Sequence, residues 1–379
     1  MLSRVAECLF WMSRYVERTE EIARFVEVNT QLMLDIPPAQ SQPISLDWLP
    51  LVECLGEKAN FKKLQYDSDQ TGVTEFLVFS RENANSIVSC VAAARENTRT
   101  VREQISEEMW EEMNRFYLWL ISKQSRQLFE RNPYGFFREI VRFSNGFRGV
   151  TDSTIDHGDG WEFIQIGRYI ERADKTSRVI DDKFHLLTQK NKDAGRMIVQ
   201  WNAILRNRSA SQAYQRRYKA EVVAQRVAEL LLLSNSFPRS VLHCVRRVDW
   251  ALRRLSGAGE WGFLNRPEKV SGRLMAELSF SEVDDIFAKG LHQVVERLLD
   301  KRARWPVGHG RQGPSGLPSA AWLAGDNAQA SRSASFLGGG CARLGMIGRY
   351  SPASGPAGFE SAVNHHVGTH VRNRSGDDL

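Results

Sequence analysis

The sequence predicts an all-α protein made of two tandem, sequence-related helical bundle units packed together, with a C-terminal tail outside the fold. Apolar residues recur at three- and four-residue steps over long stretches, and alternating strand patterns are nearly absent. A charged block recurs 154 positions downstream, and the composition changes abruptly after Trp305. We therefore expect unit one over residues 1–152, unit two over 153–305 and a tail over 306–379.

The repeat is visible in two distant blocks that share one register. Residues 14–18 read Arg-Tyr-Val-Glu-Arg, and residues 168–172 read Arg-Tyr-Ile-Glu-Arg. Further along, the same offset aligns Ser80, Ser86, Cys90, Val91 and Arg99 with Ser234, Ser240, Cys244, Val245 and Arg253. Agreement between the two blocks predicts an internal duplication with few net insertions.

Each unit is predicted to open with a long helix. The first covers residues ~2 to 34, and neither glycine nor proline interrupts it before Pro37. Its counterpart follows a Gly-Asp-Gly loop and runs from about Trp161 to the Leu186 region. The predicted buried face of the first helix consists of Val5, Leu9, Met12, Val16, Ala23 and Val26.

Further helices are predicted within each unit. Pro238 suits the first turn of one of them, because its missing N–H needs no partner there. Ser281 and Asp284 resemble a capping box that opens a last helix ending near Arg304. The other ranges that fit helices are ~72–94, ~96–124, ~216–235 and ~238–256.

The tail over residues 306–379 is predicted to be disordered. It contains 14 of the 28 glycines and four of the eight histidines, with no helical or strand periodicity. So many glycines would lose more conformational entropy on ordering than the few apolar groups could offset.

Composition narrows the class of protein. The net charge of +6 comes from 51 basic and 45 acidic residues interleaved along the same segments, so no nucleic-acid-binding stripe is expected. No stretch approaches the ~18 apolar residues of a membrane span, and the N-terminus lacks a signal-peptide apolar region. The cysteines have no CxxC pair, which predicts reduced thiols and a cytoplasmic protein. These cysteines are Cys8, Cys54, Cys90, Cys244 and Cys341.

The repeated charged block forms a polar stripe on each opening helix, because its members lie three, four and seven residues apart. A guanidinium can bind a carboxylate or phosphate through two hydrogen bonds, so the stripes are candidates for an anion or carboxylate site between the units. The alternative is an internal ion-pair network that sets how the helices pack. The stripes are Arg14, Glu17, Arg18 and Glu21, and then Arg168, Glu171, Arg172 and Lys175, with a charge change at the end.

Two further features occur in one unit only. His157 precedes the second opening helix, where it could grip an anion or carry a proton, or simply cap the helix. Glu96 and Asn97, which precede Arg99, correspond by the offset to Trp250 and Ala251. A polar group kept in one copy is a candidate for function, and an exposed helix face is the alternative.

Several signatures of chemistry are missing. The sequence has no phosphate-binding loop, no dinucleotide fingerprint and no HExxH or Glu-x-x-His metal motif, so no cofactor or metal is expected. No cysteine carries a local nucleophile signature, and no catalytic residue can be nominated.

Four blocks of residues together resemble the bacterial alpha-E domain family, over residues 1 to about 305. The family's more usual Glu-Asn-Ala-Arg is Glu-Asn-Thr-Arg here. The blocks begin at Leu2 (LSRVAExxFWxxRYxERxE), Arg95 (RENxRxVRE), His157 (HxxGWxFxxxGRYxERA) and Phe237 (FPRSV).

The resemblance implies a helical domain without an established activity. Family members typically resemble partners of an ATP-grasp ligase and a transglutaminase-like peptidase, so both are expected partners. One hypothesis makes the chain a helical accessory or substrate-presenting partner of such a ligase, which recognises carboxylates through the Arg/Glu stripes. The alternative is a stand-alone enzyme that uses Glu7, Glu17, Glu171 and His157 for acid/base or metal-assisted amide chemistry.

Overall fold

Two long helices dominate the structure, which is a computed structural model. Helix α1 spans Ser3–Asp35 and helix α9 spans Asp159–Leu187, within two residues of the sequence prediction. The structure describes residues 1–35, 48–187, 194–259 and 262–288. The fold is all-α, and the described residues contain no β-strand.

The predicted apolar face of α1 is largely buried. Leu9, Met12, Val16, Ala23 and Val26 lie in the core. Val5, at the start of the stripe, is only partly buried. Burial of such side chains contributes about 25 cal/mol per Å² of apolar surface, so this face anchors α1 in the molecule.

Helices α1 and α9 run parallel and in close contact. The amino group of Met1 lies 3.9 Å from Asp159, and the contacts then advance along both helices together to the pair Arg14–Glu171. The backbones approach most closely at Gly167, where a Cβ atom would clash with the carbonyl oxygen of Phe10. Glycine at this position therefore lets the charged side chains of the two helices reach across.

Shorter helices surround this pair. In the first half of the chain they are α2 (Leu49–Cys54), α3 (Lys58–Lys63), α4 (Gln70–Thr74), α5 (Ile87–Thr100), α6 (Glu107–Leu120), α7 (Lys123–Arg131) and α8 (Pro133–Thr154), with a 3₁₀ turn at Arg102–Gln104. In the second half they are α10 (Ala194–Asn207), α11 (Ser211–Tyr218), α12 (Ala224–Ala228), α13 (Val241–Ser256), α14 (Arg266–Ser279) and α15 (Val283–Ala288).

The prediction of one helix over residues 72–94 is wrong. Helix α4 continues as a π-helical turn at Glu75–Phe79, and the chain then leaves the helix until Ser86 caps α5. Asn83 explains the break, because its side-chain amide donates to the carbonyl of Phe76 and its backbone N–H donates to Ser80. Ser and Asn side chains compete in this way with the helix for backbone partners.

The same break occurs 154 residues later. Helix α12 continues as a π-helical turn at Glu229–Leu233, and Ser240 caps α13. The predicted helix over 216–235 is therefore wrong, and Pro238 lies in the loop before the cap rather than in the first turn. In both halves a short loop connects the π-helical turn to the next helix, α5 or α13, and the loop ends in the serine that caps that helix.

Two other boundaries differ from the prediction. The range 96–124 holds the end of α5, the 3₁₀ turn and then α6, which Ser106 caps. Ser281 donates its hydroxyl to the carbonyl of Glu277, which lies in the last turn of α14. Its side chain therefore bonds to the preceding helix and does not cap a new one. The predicted last helix is described only from Val283 to Ala288. The rest of it and the tail over 306–379 lie outside the described residues.

The main core contains side chains of both halves, from Phe76 and Phe136 to Trp201 and Leu231. A smaller apolar cluster surrounds Leu9 at the start of α1. Within the described ranges, no helix combines the length and apolarity that crossing a bilayer requires.

Candidate functional site: a buried arginine–glutamate network

The two Glu-Arg dipeptides of the repeat pair with each other where α1 crosses α9. Arg18 donates Nε and Nη2 to the carboxylate of Glu171, at 2.7 and 3.1 Å. Arg172 donates Nε and Nη2 to the carboxylate of Glu17, at 2.7 and 3.2 Å. Each bond pair is bidentate, the strongest geometry for these groups. The two dipeptides thus form a reciprocal clamp between the halves of the chain.

Glu17 is surrounded by further arginines. Arg148 on α8 donates Nη1 to it at 2.9 Å, and Arg239, in the loop before α13, donates Nη1 at 3.3 Å. Together with Arg172, three guanidinium groups contact one carboxylate that is only 1% exposed. Removal of that carboxylate would leave three buried cations short of a partner.

The next two residues of α1 extend this side of the network. Glu20 accepts from Arg24 at 2.7 Å, from Arg239 at 2.6 Å and from Arg148. Glu21 accepts from Arg239 and from Arg208, which ends α10 and is fully buried. We call the carboxylates Glu17, Glu20 and Glu21, with the cations Arg24, Arg148, Arg172, Arg208 and Arg239, the Glu17 side.

The Glu171 side is less crowded. Arg14 donates Nε to Glu171 at 2.8 Å, in addition to the two bonds from Arg18. Lys175, one turn further along α9, places its ammonium nitrogen 3.9 Å from Glu171 and 3.7 Å from Asp174. We call Glu171 and Asp174, with the cations Arg14, Arg18, Lys175 and Arg178, the Glu171 side.

Protonation states in the network follow from the crowding of cations. Burial alone would raise the pKa of Glu17, but Arg172, Arg148 and Arg239 lower it from 4.5 to about 2. The same opposition holds the pKa of Glu20 and of Glu171 well below the ordinary value. Burial lowers the pKa of Arg208, and the single carboxylate of Glu21 does not reverse that shift. Glu17, Glu20 and Glu171 are therefore ionised partners and not proton carriers near neutral pH.

A polar group from the first half borders the Glu171 side. Arg18 donates Nη1 to Asn85, which donates its amide to Glu57 at 2.7 Å. Arg18, Glu171, Lys175 and Glu57 all act on the thiol of Cys90, whose pKa burial raises to about 12. The Cys90 thiol is therefore protonated and surrounded by this set of charges.

Comparison at the offset of 154 shows where the two sides differ. Glu21 on α1 corresponds to Lys175 on α9, and Arg239 corresponds to Asn85. Arg208, which fills the space beside Glu21, corresponds to Cys54, an apolar side chain. The Glu171 side thus has a lysine in place of a glutamate, and it lacks two of the arginines that close the Glu17 side.

Of the predicted stripe residues, the structure brings together all but Arg168: Arg14, Glu17, Arg18, Glu21, Glu171, Arg172 and Lys175. Arg168 is directed elsewhere and binds Asp152 on α8 at 3.1 and 3.2 Å.

The predicted convergence of Glu7 and His157 with Glu17 and Glu171 does not occur. His157 lies fourteen residues before Glu171, a rise of ~20 Å, and Glu7 lies about 15 Å before Glu17 along α1. The His157 ring stacks on Trp161 at 4.3 Å and contacts the carbonyl of Asp152. His157 is thus placed as a loop residue at the far end of the helix pair.

The segment around Glu96 lies on an exposed helix face. Glu96 pairs with Arg99 at 2.9 Å and with Arg95 at 3.2 Å, and the side chains of Glu96 and Arg99 are more than half exposed. Asn97 is partly buried on the same helix. This segment is separate from the charged network.

Sequence reasoning missed five arginines that complete the network: Arg24, Arg148, Arg178, Arg208 and Arg239. All of them lie outside the repeated block, and only Arg239 lay in a recognised block, Phe237–Val241. Arg24 and Arg178 occupy equivalent positions at the offset of 154, a signal that could have identified both.

Among the described residues, no group of three His, Cys, Asp or Glu side chains is arranged to hold a metal ion. Cys8, Cys54, Cys90 and Cys244 are buried. Cys341 lies outside the described residues.

Comparison with known proteins points to one family. A family model described as Alpha-E, "a predicted alpha-helical domain with a conserved ER motif", matches residues 1–305. Glu-Arg dipeptides occur in this chain at residues 17–18, 130–131, 171–172 and 296–297, and those at 17–18 and 171–172 form the reciprocal clamp described above. No solved structure matches the chain.

Curated relatives come from mycobacteria. Proteins titled only as uncharacterized in Mycobacterium bovis and in Mycobacterium tuberculosis strain CDC 1551 are 26% identical over 314 residues, which covers 78% of this chain and 35% of each relative. A protein with the same kind of title in M. tuberculosis strain H37Rv is 25% identical over the same length. The chain thus spans about a third of the length of the curated relatives it matches.

Proposed function

This chain belongs to the Alpha-E family, and from that premise we propose that it is a helical accessory protein that binds a carboxylate group at the Glu171 side of its charged network. The reciprocal clamp holds the two long helices together, and the ligand site lies beside it. This proposal combines the two alternatives that the sequence leaves open, because the network is both a packing element and a source of binding groups.

The observation that carries the proposal is the state of Lys175. Every arginine of the network donates at least one hydrogen bond to a carboxylate, whereas the Lys175 ammonium donates none among the described residues. Lys175 is only 6% exposed. The ammonium lies at ion-pair distance from Glu171 and Asp174 but donates no hydrogen bond to either, so a ligand oxygen that accepts from it would be bound favourably.

The balance of charge favours an anion of low charge. The Glu171 side has four cations and two carboxylates, and Glu57 lies at its border beside Asn85, which leaves an excess of one positive charge once Glu57 is counted. A single carboxylate would neutralise that excess and could accept from Lys175 and a neighbouring guanidinium together.

Arg178 lies between solvent-exposed Gly56 and the residues around Lys175. Gly56, in the connection between α2 and α3, has a φ of +81°, and a Cβ atom there would stand 3.2 Å from Nη1 of Arg178. The Arg178 side chain is 38% exposed and shares Asp174 with Lys175. We propose that rotation of the Arg178 side chain gives a ligand access to the Lys175 ammonium.

The resemblance stated above suggests the source of the carboxylate. We propose that an ATP-grasp ligase that forms peptide or amide bonds is the partner, with a transglutaminase-like peptidase as a second one, and that the chain presents a carboxylate-bearing substrate. The mycobacterial relatives support an accessory role, because the matching region there is only about a third of a longer chain.

We propose further that the two halves are copies of one ancestral unit. The π-helical turns at Glu75–Phe79 and Glu229–Leu233, and the caps at Ser86 and Ser240, recur at the offset of the charged block. These recurrences support the proposal. In this account one copy later exchanged a glutamate for Lys175, and this exchange left its side of the network able to take a ligand.

The test is calorimetric titration of the full chain with succinate and with N-acetylglutamate, beside phosphate as a competing anion. We expect saturable binding of the carboxylates, and an at least tenfold weaker affinity (roughly 1.4 kcal/mol or more) in Lys175→Gln, because a charge-assisted hydrogen bond is lost. Lys62→Gln on exposed helix α3 removes the same charge outside the network and serves as the matched control.

Equal affinities in Lys175→Gln and in the unaltered chain would contradict the carboxylate site, as would an equal loss in Lys62→Gln. Co-purification of the chain with an ATP-grasp ligase that forms peptide or amide bonds tests the partner separately. The accessory role fails if the ligase neither binds the chain nor changes its turnover when the chain is added.

A further inference from the structure

Helix α13 carries a row of basic and aromatic side chains on its outer face. The row follows three- and four-residue steps, which place its members on one side of a helix. Trp250, near its middle, is 45% exposed, which is unusual for so large an apolar side chain. The α13 face consists of His243, Arg246, Arg247, Trp250 and Arg254.

The arginines of this face are held in place by aromatic rings. The guanidinium of Arg247 lies 5.3 Å from the ring centroid of Trp250 and 5.6 Å from that of Tyr169. The guanidinium of Arg254 lies 4.9 Å from the centroid of Trp250 on the same helix. Such cation–π contacts restrict the side chains while their N–H groups remain available to a partner.

The positive charge of the face is only partly compensated. Within the described ranges, neither Arg246 nor Arg247 has a carboxylate within ion-pair distance, and Arg246 donates instead to the amide oxygen of Asn235. Arg254 pairs with Glu162 at 2.9 Å, and Glu162 is buried beneath it. The outer surface therefore presents two unpaired guanidinium groups beside an exposed tryptophan.

The equivalent face in the first half is different. At the offset of 154, Arg246 and Arg247 correspond to Ala92 and Ala93 on α5, and Trp250 corresponds to Glu96. The helices have similar bounds and the same type of serine cap. The basic aromatic row is thus specific to the second half, and the core packing of the helix does not require it.

We propose that the α13 face is a docking surface for an acidic segment of a partner protein. Guanidinium groups recognise carboxylates with two hydrogen bonds, and Trp and Arg are the residues that most often dominate the energy of protein interfaces. From His243 to Arg254 the helix rises ~16 Å, the length of about five extended residues. An acidic segment with one apolar residue for Trp250 fits these dimensions.

The dimensions favour a peptide over a nucleic acid. Phosphate backbones are bound by longer basic stripes, whereas one of the three arginines here is already paired with Glu162. This inference goes beyond the proposed carboxylate site. The α13 face lies on an exposed surface and shares no residue with the Glu171 side.

The experiment measures fluorescence anisotropy of a labelled oligoglutamate peptide that contains one leucine, with the full chain. We expect saturable binding that weakens at least tenfold in the Arg246→Glu/Arg247→Glu variant and also weakens in Trp250→Ala. The matched control is Arg99→Glu/Arg102→Glu, which makes the same change of charge in the first half. Arg102 also lies over a tryptophan, at 5.3 Å from the ring of Trp110.

The outcomes separate the explanations. Binding that survives in the control and in Lys175→Gln but is lost in Arg246→Glu/Arg247→Glu supports the docking surface. An equal loss in both double variants means attraction to net charge alone and overturns it. Tighter binding of a labelled single-stranded RNA than of the peptide, at matched salt, assigns the face to nucleic acid and also overturns the proposal. Failure of the carboxylate titration leaves these results unaffected.

Discussion

The Glu17 side and the Glu171 side of the network each contain a Glu-Arg dipeptide of the repeated block, but they differ in the charged residues around it. On the Glu17 side three carboxylates are held by five arginines, and one of these, Arg208, is completely buried. On the Glu171 side two arginines hold Glu171, and the Lys175 ammonium has no hydrogen bond among the described residues. One side is therefore closed by arginines, whereas the other holds the lysine on which the proposed carboxylate site depends.

The difference shows how a site can arise from a scaffold. A buried ion pair contributes little net stability relative to apolar packing, but loss of one partner is strongly destabilising because the other charge stays buried. The Glu17 side cannot lose a carboxylate without that penalty. At the offset of 154, the Glu171 side has Lys175 where the other side has Glu21, and Asn85 where the other side has Arg239; under the proposed function, an external carboxylate binds there.

The largest expected effect is the removal of a central carboxylate. Glu17→Gln should lower the free energy of unfolding by about 3–5 kcal/mol, because Arg148, Arg172 and Arg239 lose a common partner. Glu171→Gln should cost less, since two arginines depend on it and Asn85 still accepts from Arg18. Urea unfolding followed by circular dichroism measures both. A larger loss in Glu171→Gln would reverse the assignment of the two sides.

The next effect compares the exchanged positions directly. Glu21→Gln should destabilise the protein by about 2–4 kcal/mol, because it leaves the buried guanidinium of Arg208 without a carboxylate. Lys175→Met should be neutral or stabilising, because it removes a buried charge that makes no hydrogen bond. Thermal unfolding of the two variants decides this. Strong destabilisation by Lys175→Met would mean that the ammonium is already satisfied.

Acid should weaken the clamp over a defined range of pH. Glu17 has a folded-state pKa of about 2 against an ordinary value of 4.5, so its contribution is fully present above about pH 4.5. It is lost as the pH falls from there toward about 2, because the unfolded chain then binds more protons. We expect unfolding free energy to decline over this range, and less steeply in Glu17→Gln. If the unfolding free energy declined equally steeply with falling pH in both proteins, protonation of Glu17 would not contribute to the acid sensitivity.

The smallest effect concerns thiol labelling. Burial raises the pKa of both Cys90 and Cys244 to about 12, so both should react slowly with a thiol reagent at about pH 8. Cys90 should react first, because fewer ion pairs close the Glu171 side and local opening there costs less free energy. Mass spectrometry of a Cys341→Ser variant follows each site. Faster labelling of Cys244 would contradict the order.

Sequence patterns predicted the long helices and the centre of the charged network. They failed where a local polar side chain ends a helix and where a distant segment contributes a residue to the network. The apolar residues of α1 and the charged residues of the two repeated blocks both recur with the period of an α-helix. The burial of the apolar residues and the pairing of the charged ones could therefore be predicted. The break between α4 and α5 depends on Asn83, whose bonds to Ser80 and Phe76 end the helix. The spacing of apolar residues carries no information about such a hydrogen bond.

The remaining network residues could not be predicted for a different reason. Arg148 lies in the last third of α8 and Arg208 directly follows α10, and only the packing of those helices on α1 brings both side chains to the network. His157 shows the opposite failure, because it stands close to Glu171 in sequence but α9 separates them by ~20 Å. Positions on one helix face predicted most of the network contacts, with Arg168 as the exception. Closeness in the sequence did not predict a contact for His157.

The reciprocal clamp is the claim on which the account depends, and a double-mutant cycle on Glu17 and Arg172 tests it most directly. Unfolding free energies of Glu17→Gln, Arg172→Gln and the double variant give the coupling energy of the pair. The structure predicts a favourable coupling of about 1–3 kcal/mol between these two side chains. A coupling below about 0.3 kcal/mol would contradict the clamp and, with it, the assignment of the two sides.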